Sequence, residues 1–216
     1  MTIHWYPGHM AKAFRQVEEK LKMVDMVLEL IDARLPYSSR NPKVDELIQN
    51  KARLVLLTKS DLADQEANHR WLAYFHSQGI RALLVDAQSG EGISKIPVVG
   101  EKIMKDIFEK REKKGIISRK MRALVIGIPN VGKSSLINRL ARRQAAATGN
   151  RPGITKAQQW IRVGRNLELL DTPGVLWPKF ENESVAMSLA VSGAIKDEIL
   201  PVEEVAHHFV EFMIRS

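Results

Sequence analysis

The sequence predicts an α/β fold: a mostly parallel sheet of about six strands with helices between them, then a short helical segment at the carboxyl end. Three observations predict it. Four near-continuous apolar runs rich in β-branched residues have strand length, as strands buried on both faces should. Amphipathic stretches of helical period lie between them. A glycine-rich Gly-Lys-Ser turn follows the fourth run and opens a helical stretch, the order in which parallel sheets hold phosphates.

In chain order, "VDMVLELIDA" (24–33) is the first expected strand, followed by the helical "PKVDELIQN" with Pro42 near a first turn. "RLVLLTK" (53–59) is the second strand, and "ANHRWLAYFHSQG", closed by Gly79, the next helix. "IRALLVDA" (80–87) leads into the long amphipathic "ISKIPVVGEKIMKDIFEKREKKG", closed by Gly115. "MRALVIGI" (121–128) precedes the helical "KSSLINRLARRQ". "QWIRVG" and "NLELLDT" are joined by a tight Gly-Arg-Asn turn and form a hairpin. From about residue 181 the pattern is helical only, as "ESVAMSLAVSGAIKDEI" and then "PVEEVAHHFVEFMIRS" with Pro201 at a first-turn position. The expected division is a nucleotide-binding domain over 1–180 and a helical segment over 181–216.

Composition narrows the function classes. With 216 residues, 44% of them hydrophobic, the chain can bury a real core. Cysteine is absent, which excludes disulfides and thiolate metal sites. No apolar run approaches the roughly 18 residues of a membrane span, and the amino terminus lacks a basic region followed by an apolar one. The expectation is a soluble, cytoplasmic protein with no membrane contact. Charge is uneven: residues 105–165 hold sixteen Lys or Arg against three acids, so a local +13 sits inside a chain of net +8. That excess beyond one phosphate site suggests RNA as a polyanionic partner, with a solvated helix face as the alternative.

Gly127-Ile128-Pro129-Asn130-Val131-Gly132-Lys133-Ser134 fits G-x-x-x-x-G-K-[ST], a pattern expected by chance about once in 100 chains of this length. Such a cradle aims backbone N–H groups and a helix amino terminus at phosphates. Lys133 would reach the β- and γ-phosphates, Ser134 would take a magnesium position, and Ser135 is expected among the nucleotide-binding residues. "LLDTPG" adds Asp171 as a second magnesium-holding residue and Gly174 as an N–H donor to the γ-phosphate. Thr155 in "NRPGITK" supplies a loop hydroxyl that can complete the magnesium shell.

The base is read upstream of the cradle. Guanine offers N1–H and N2–H₂ side by side, a pair that one carboxylate accepts and adenine lacks. Asp61 in "LLTKSD" fills that role, with the Lys59 stem lying against the base and Thr58 beside it. "LLVDAQSGEG" puts Asp86 and Ala87 just past another strand, where the Ala87 N–H would meet guanine O6. Because a parallel sheet binds ligands at the carboxyl ends of its strands, chain order can be permuted without moving the site.

Thr58-Lys59-Ser60-Asp61, Asp86-Ala87, Gly127 to Ser134, Thr155 and Asp171 to Gly174 in this order resemble the circularly permuted P-loop GTPases. "HWYPGHMAKA", "DARLPYSSRNP" and "NRPGITKAQQW" are similar to the ribosome biogenesis GTPase A (YlqF-type) family over about residues 3–180. The resemblance implies a magnesium-dependent GTPase that converts GTP to GDP in late assembly of the large ribosomal subunit or its precursor. Its implied partners are ribosomal RNA and proteins. We expect a monomer, slow until the ribosomal subunit stimulates it.

Three departures qualify that expectation. Thr58 stands where Asn is usual, so the bracing side-chain amide is missing and guanine binding should be modestly weaker. Members of that family carry a larger carboxyl-terminal helical domain, whereas about 36 residues follow position 180 here, the start of such a domain or a short variant of it. Val175 occupies the place of the water-orienting Gln and cannot hydrogen bond. His9 is the candidate catalytic replacement; alternatively it caps or packs a helix starting near Met10. Asn130 resembles the cradle Asn that holds a potassium ion beside the phosphates; alternatively it braces its own turn. The catalytic set is then His9, Lys133, Thr155 and Gly174. Two other classes compete: a nucleotide-dependent RNA or ribosome scaffold with negligible hydrolysis, and a metabolic kinase, for which no acceptor site or lid is evident.

Overall fold

Strand β1 (Met26–Asp32) is buried along its whole length, and its alternate residues face two different layers. Met26, Leu28 and Leu30 enter one apolar cluster, while Val27 and Ile31 point to the other face. This is what a period of two does in a strand covered on both sides. The computed structural model describes residues 15–48, 51–115, 120–148, 160–172, 182–195 and 202–215.

Around β1 the sheet has six strands in the order β3-β2-β1-β4-β6-β5. The others are β2 (Ala52–Thr58), β3 (Arg81–Val85), β4 (Met121–Gly127), β5 (Ile161–Val163) and β6 (Leu167–Asp171). Only the β5–β6 pair is antiparallel, the predicted hairpin. Its turn carries Gly164 at φ 61°, a conformation glycine adopts without strain. In register, Asp32 lies beside Thr58, Thr58 beside Val85, and Leu30 beside Gly127. The strands therefore end together on one edge, although β2 and β3 precede β4 in the chain. That is the permuted arrangement the motifs required.

Eight helices are described. One face carries α5 (Lys95–Glu112), α6 (Lys133–Thr148) and α7 (Glu183–Val191); the other carries α1 (15–21), α3 (Val44–Ile48) and α4 (Gln65–Ser77). Asp64 caps α4 by accepting the Ala67 N–H at 2.7 Å, supplying a partner the first turn lacks. Gly100 lets α5 approach the sheet, because a Cβ there would come within 2.8 Å of the Met121 methyl.

Two elements differ from the sequence expectation. The short α2 (Pro36–Ser39) forms inside "DARLPYSSR", with Pro36 at its start, a position where the missing N–H costs nothing. The helical run expected over 183–199 stops at Val191, because Gly193 takes φ 72° and turns the chain back. Leu189, Ala190, Ala194 and Ile195 are buried in the same cluster as Ile128 and Val131 of the glycine-rich turn. α8 (Val202–Arg215) leaves Phe209, Phe212 and Ile214 exposed.

The buried carboxylate at the centre of the sheet is paired. Glu29 in β1 meets Arg40 and Arg53 at 3.3 Å each; burial pushes its carboxyl above the usual range while the two guanidiniums pull it down.

Candidate functional site

At the end of β4 two stretches of backbone come close together. A Cβ on Gly127 would sit 2.7 Å from the Leu30 carbonyl oxygen and 3.0 Å from Val131 Cγ1, so only glycine fits. Asn130 then takes φ 56° and Gly132 φ 105°, which turns successive amides the same way. Among the described residues, the N–H groups of Gly132, Lys133 and Ser134 meet no protein acceptor. They lie at the start of α6, where the helix dipole adds its positive end.

Lys133 is buried, its Nζ donating to the Gly127 and Ile128 carbonyls at 3.0 and 2.7 Å. Desolvation lowers its pKa to about 8, opposed by the Asp171 carboxylate. Asp171, at the end of β6, has its carboxyl raised by desolvation; the Thr172 amide, Lys133 and Lys20 act the other way. Two bonds fix that strand end: Lys20 Nζ to the Asp171 carbonyl at 2.8 Å and Thr172 Oγ1 to the Val125 carbonyl at 2.6 Å. A cleft of about 620 Å³ opens here between Pro129, Asn130, Ser134, Ser135 and Asp171.

The donor set suits magnesium. A hydroxyl (Ser134) and a carboxylate (Asp171) line the cleft, and both are hard oxygen ligands. No group of three His, Cys, Asp or Glu able to hold a metal exists among the described residues. Magnesium characteristically completes its shell with substrate phosphates and water, so a sparse protein set is the fitting one.

The residues expected to read the base lie across β1. Thr58 Oγ1 reaches the Val131 carbonyl at 2.7 Å and the Ile31 carbonyl at 3.1 Å. The Thr58 hydroxyl thus ties β2 to the glycine-rich turn, a brace made without an amide. Thr58→Val would leave the buried Val131 carbonyl unpaired, and is expected to weaken GDP binding about tenfold, whereas Thr58→Ser should be near neutral. Isothermal titration of the two variants separates hydroxyl from methyl; equal affinities would remove the brace from the account.

Lys59, at φ 56°, donates to Asp32 Oδ2 at 2.9 Å. Asp32 also accepts Arg34 Nε and a terminal guanidinium nitrogen at 2.9 and 2.8 Å, and these bonds hold its carboxyl below the usual range against burial. Asp61 is exposed in a 3₁₀ turn, Ser60–Leu62, and accepts no hydrogen bond from the described residues. Behind it, the Ser60 carbonyl is held by Asn68 Nδ2 at 3.0 Å and Gln65 Nε2 at 3.3 Å. Asp86 has both oxygens engaged by the Gln88 and Ser89 amides, each at 2.7 Å. Its part is to fold the loop that carries Ala87.

Thr58, Lys59, Asp61, Asp86, Ala87, residues 127–135 and Asp171 thus share one edge of the sheet. His9, Thr155, Gly174 and Val175 lie outside the described residues. Sequence reasoning missed the Asp32–Arg34 lock on Lys59, Asn68 behind Asp61, and a bond from Asn130 Nδ2 to the Gly193 carbonyl at 2.6 Å. The Asp-Ala-Arg triplet was visible; its target was not.

No helix among the described residues is long and apolar enough to cross a membrane. A family model described as 50S ribosome-binding GTPase matches residues 122–212. The ribosome biogenesis GTPase A of Bacillus cereus is 55% identical over 213 residues, covering 99% of this chain and 72% of its own length. That of Priestia megaterium is 56% identical over 214 residues, covering 99% and 74%, and that of Thermotoga maritima 34% over 212 residues, covering 98% and 74%. Among solved structures, GNP-bound YlqF from T. maritima superposes with a TM-score of 0.70 at 30% identity, over 95% of this chain and 76% of that one. Its GDP-bound form gives 0.67 at the same identity, over 94% and 76%. With identities of this size over nearly the whole chain, on a permuted P-loop sheet, the chain belongs to the ribosome biogenesis GTPase A family, GTP-binding and GTP-hydrolysing proteins of ribosome biogenesis.

Proposed function

We propose that this GTPase acts on the assembling large ribosomal subunit as a nucleotide-dependent switch, slow until the subunit stimulates it. The Lys133 ammonium neutralises the transferred phosphoryl group, with the cradle amides and Gly174 N–H around it. Ser134, Thr155 and Asp171 would hold magnesium, which supplies charge neutralisation at the phosphates. Asp61 accepts the guanine N1–H and N2–H₂, Lys59 covers the base, and Ala87 donates to O6. His9 positions the water, because Val175 has no hydrogen-bonding group. The basic stretch 105–165 faces ribosomal RNA, and the protein works as a cytoplasmic monomer.

One observation supports the switch reading above others. Asn130 of the cradle is bonded to Gly193, which closes α7 and begins the path to α8. A change at the phosphates therefore has a direct mechanical route into the helical segment, here assigned to residues 181–216. Among the described residues the Asn130 Oδ1 has no partner, leaving it able to hold potassium while Nδ2 keeps the Gly193 bond.

The test is GTP turnover with and without purified large subunits, in potassium and in sodium buffer, with ATP as control. We expect stimulation confined to GTP, greater in potassium, and lost in His9→Ala at unchanged GTP affinity. GTP binding without stimulation by large subunits would overturn the large-subunit reading in favour of a scaffold. Equal rates in the two salts would remove the potassium role, and full stimulation of His9→Ala would remove the role given to His9.

A further inference from the structure

The permuted chain places its guanine-reading loops and its phosphate cradle in different halves of the sequence, and a nucleotide must touch both at once. Their separation has to be fixed by contacts across the sheet edge. One such strut is Thr58 on the Val131 carbonyl, described above. The other comes from α6. Arg139 lies six residues beyond Lys133, about 9 Å along the helix, and its guanidinium donates to the Ser89 carbonyl at 2.7 Å, fifty residues away in sequence.

The loop it meets is folded almost wholly on itself. Asp86 takes the Gln88 and Ser89 amides, Ser89 Oγ takes the Glu91 N–H at 3.1 Å, and the Asp86 carbonyl takes the Gly90 N–H at 3.0 Å. The Ser89 carbonyl and the Ala87 N–H stay outside this internal ladder. The Ser89 carbonyl points out to Arg139, and the Ala87 N–H has no acceptor among the described residues. The guanidinium also covers Gly90, where a Cβ would come within 2.8 Å of its terminal nitrogen. Against burial, the hydrogen bonds from Ser89 and Gln88 hold the Asp86 carboxyl below its usual range, and the Arg139 charge adds a smaller pull in the same direction.

We propose that Arg139 is a positioning residue for guanine recognition: by holding the Ser89 carbonyl against α6, it fixes the Ala87 N–H at the distance from the cradle that guanine O6 requires. The proposal rests on the reading that Ala87 donates to O6. Arg139 does not line the cleft at the cradle; it acts through the loop. An exposed arginine that served only as surface decoration would contribute little of any kind, so base selectivity distinguishes the two roles.

The experiment measures affinities of GDP, 6-thio-GDP and IDP for the full chain by titration calorimetry, in the wild type, Arg139→Ala and Arg139→Lys. Sulfur at position 6 is a poor acceptor, so the GDP to 6-thio-GDP ratio reports the Ala87 contact. Inosine lacks the 2-amino group, so the GDP to IDP ratio reports Asp61. We expect a wild-type 6-thio ratio of about tenfold, the worth of one hydrogen bond. Arg139→Ala should cut that ratio to about twofold or less while leaving the inosine ratio unchanged, and Arg139→Lys, which keeps a charged donor, should regain part of it. A wild type indifferent to 6-thio-GDP would sink the underlying reading of Ala87. A wild type that discriminates and an Ala variant that discriminates equally would sink the role of Arg139 alone. Loss of both ratios together in the Ala variant would also overturn it, since that marks general loosening of the fold.

Discussion

Asp61→Asn is expected to exchange the preferred nucleotide from GTP to XTP. The carboxylate would accept two donors from guanine, each a charge-assisted bond, and losing that pair should lower GTP affinity by about 100-fold or more. Xanthine carries a second oxo group where guanine has its amino group, so the Asn amide can donate to that oxygen while its own carbonyl accepts N1–H. The structure narrows the choice of reader. Asp32 is nearby, but its oxygens are engaged by Arg34 and Lys59, and both oxygens of Asp86 are taken by its own loop. Asp61 is exposed, and no described residue donates to it. Competition of GTP, XTP and ATP for a fluorescent GDP probe gives the readout. If Asp61→Asn still prefers GTP, another group reads the base and the pocket has been drawn in the wrong place.

The legible parts of this protein were those that depend on backbone periodicity. β1, β2 and β4 could be found because a strand covered on both faces has no regular polar face, so its apolar run is near-continuous, broken by Glu29 in β1, Arg53 in β2 and Arg122 in β4. The glycine-rich turn was legible for a related reason: Gly127 has no room for a Cβ, and Gly132 takes a φ that glycine tolerates best. What escaped was side-chain reach between segments distant in sequence. Thr58 read as a missing amide, and only the fold brings its hydroxyl to the Val131 carbonyl at 2.7 Å. Arg139 read as one more basic residue and Asn130 as a potassium holder or a brace for its own turn, and only the fold brings them to Ser89 and Gly193. The early end of α7 was written in Gly193, but a single glycine in an otherwise helical pattern is also tolerated, so its position alone did not decide.

Lys133 carries the largest expected effect, and its burial adds a pH signature that simple loss of a charge would not show. Lys133→Ala should weaken GTP binding about 100-fold or more and reduce turnover to background, because a desolvated ammonium facing phosphates has no substitute nearby. In the nucleotide-free protein its pKa is about 8, against an ordinary 10.5. A lysine whose folded pKa is depressed destabilises the fold fully below that value, and the penalty fades as pH rises from about 8 to 10.5. Phosphates entering the cleft reverse the balance by giving the ammonium a partner, so binding must take up protons. At pH 8 about half the lysine is neutral, so uptake of about half a proton per GDP is expected, rising at pH 9. The nucleotide's own phosphates, with a second pKa near about 6, add little at those values. Titration calorimetry in buffers of different ionisation enthalpy measures the uptake directly. Lys133→Arg keeps the charge but not the titration, since a guanidinium stays protonated, and should bind with no uptake. Wild-type binding without proton uptake at pH 9 would mean that the ammonium is already solvated or paired before the nucleotide arrives, and the buried, poised lysine would then have to be abandoned as the source of phosphate affinity.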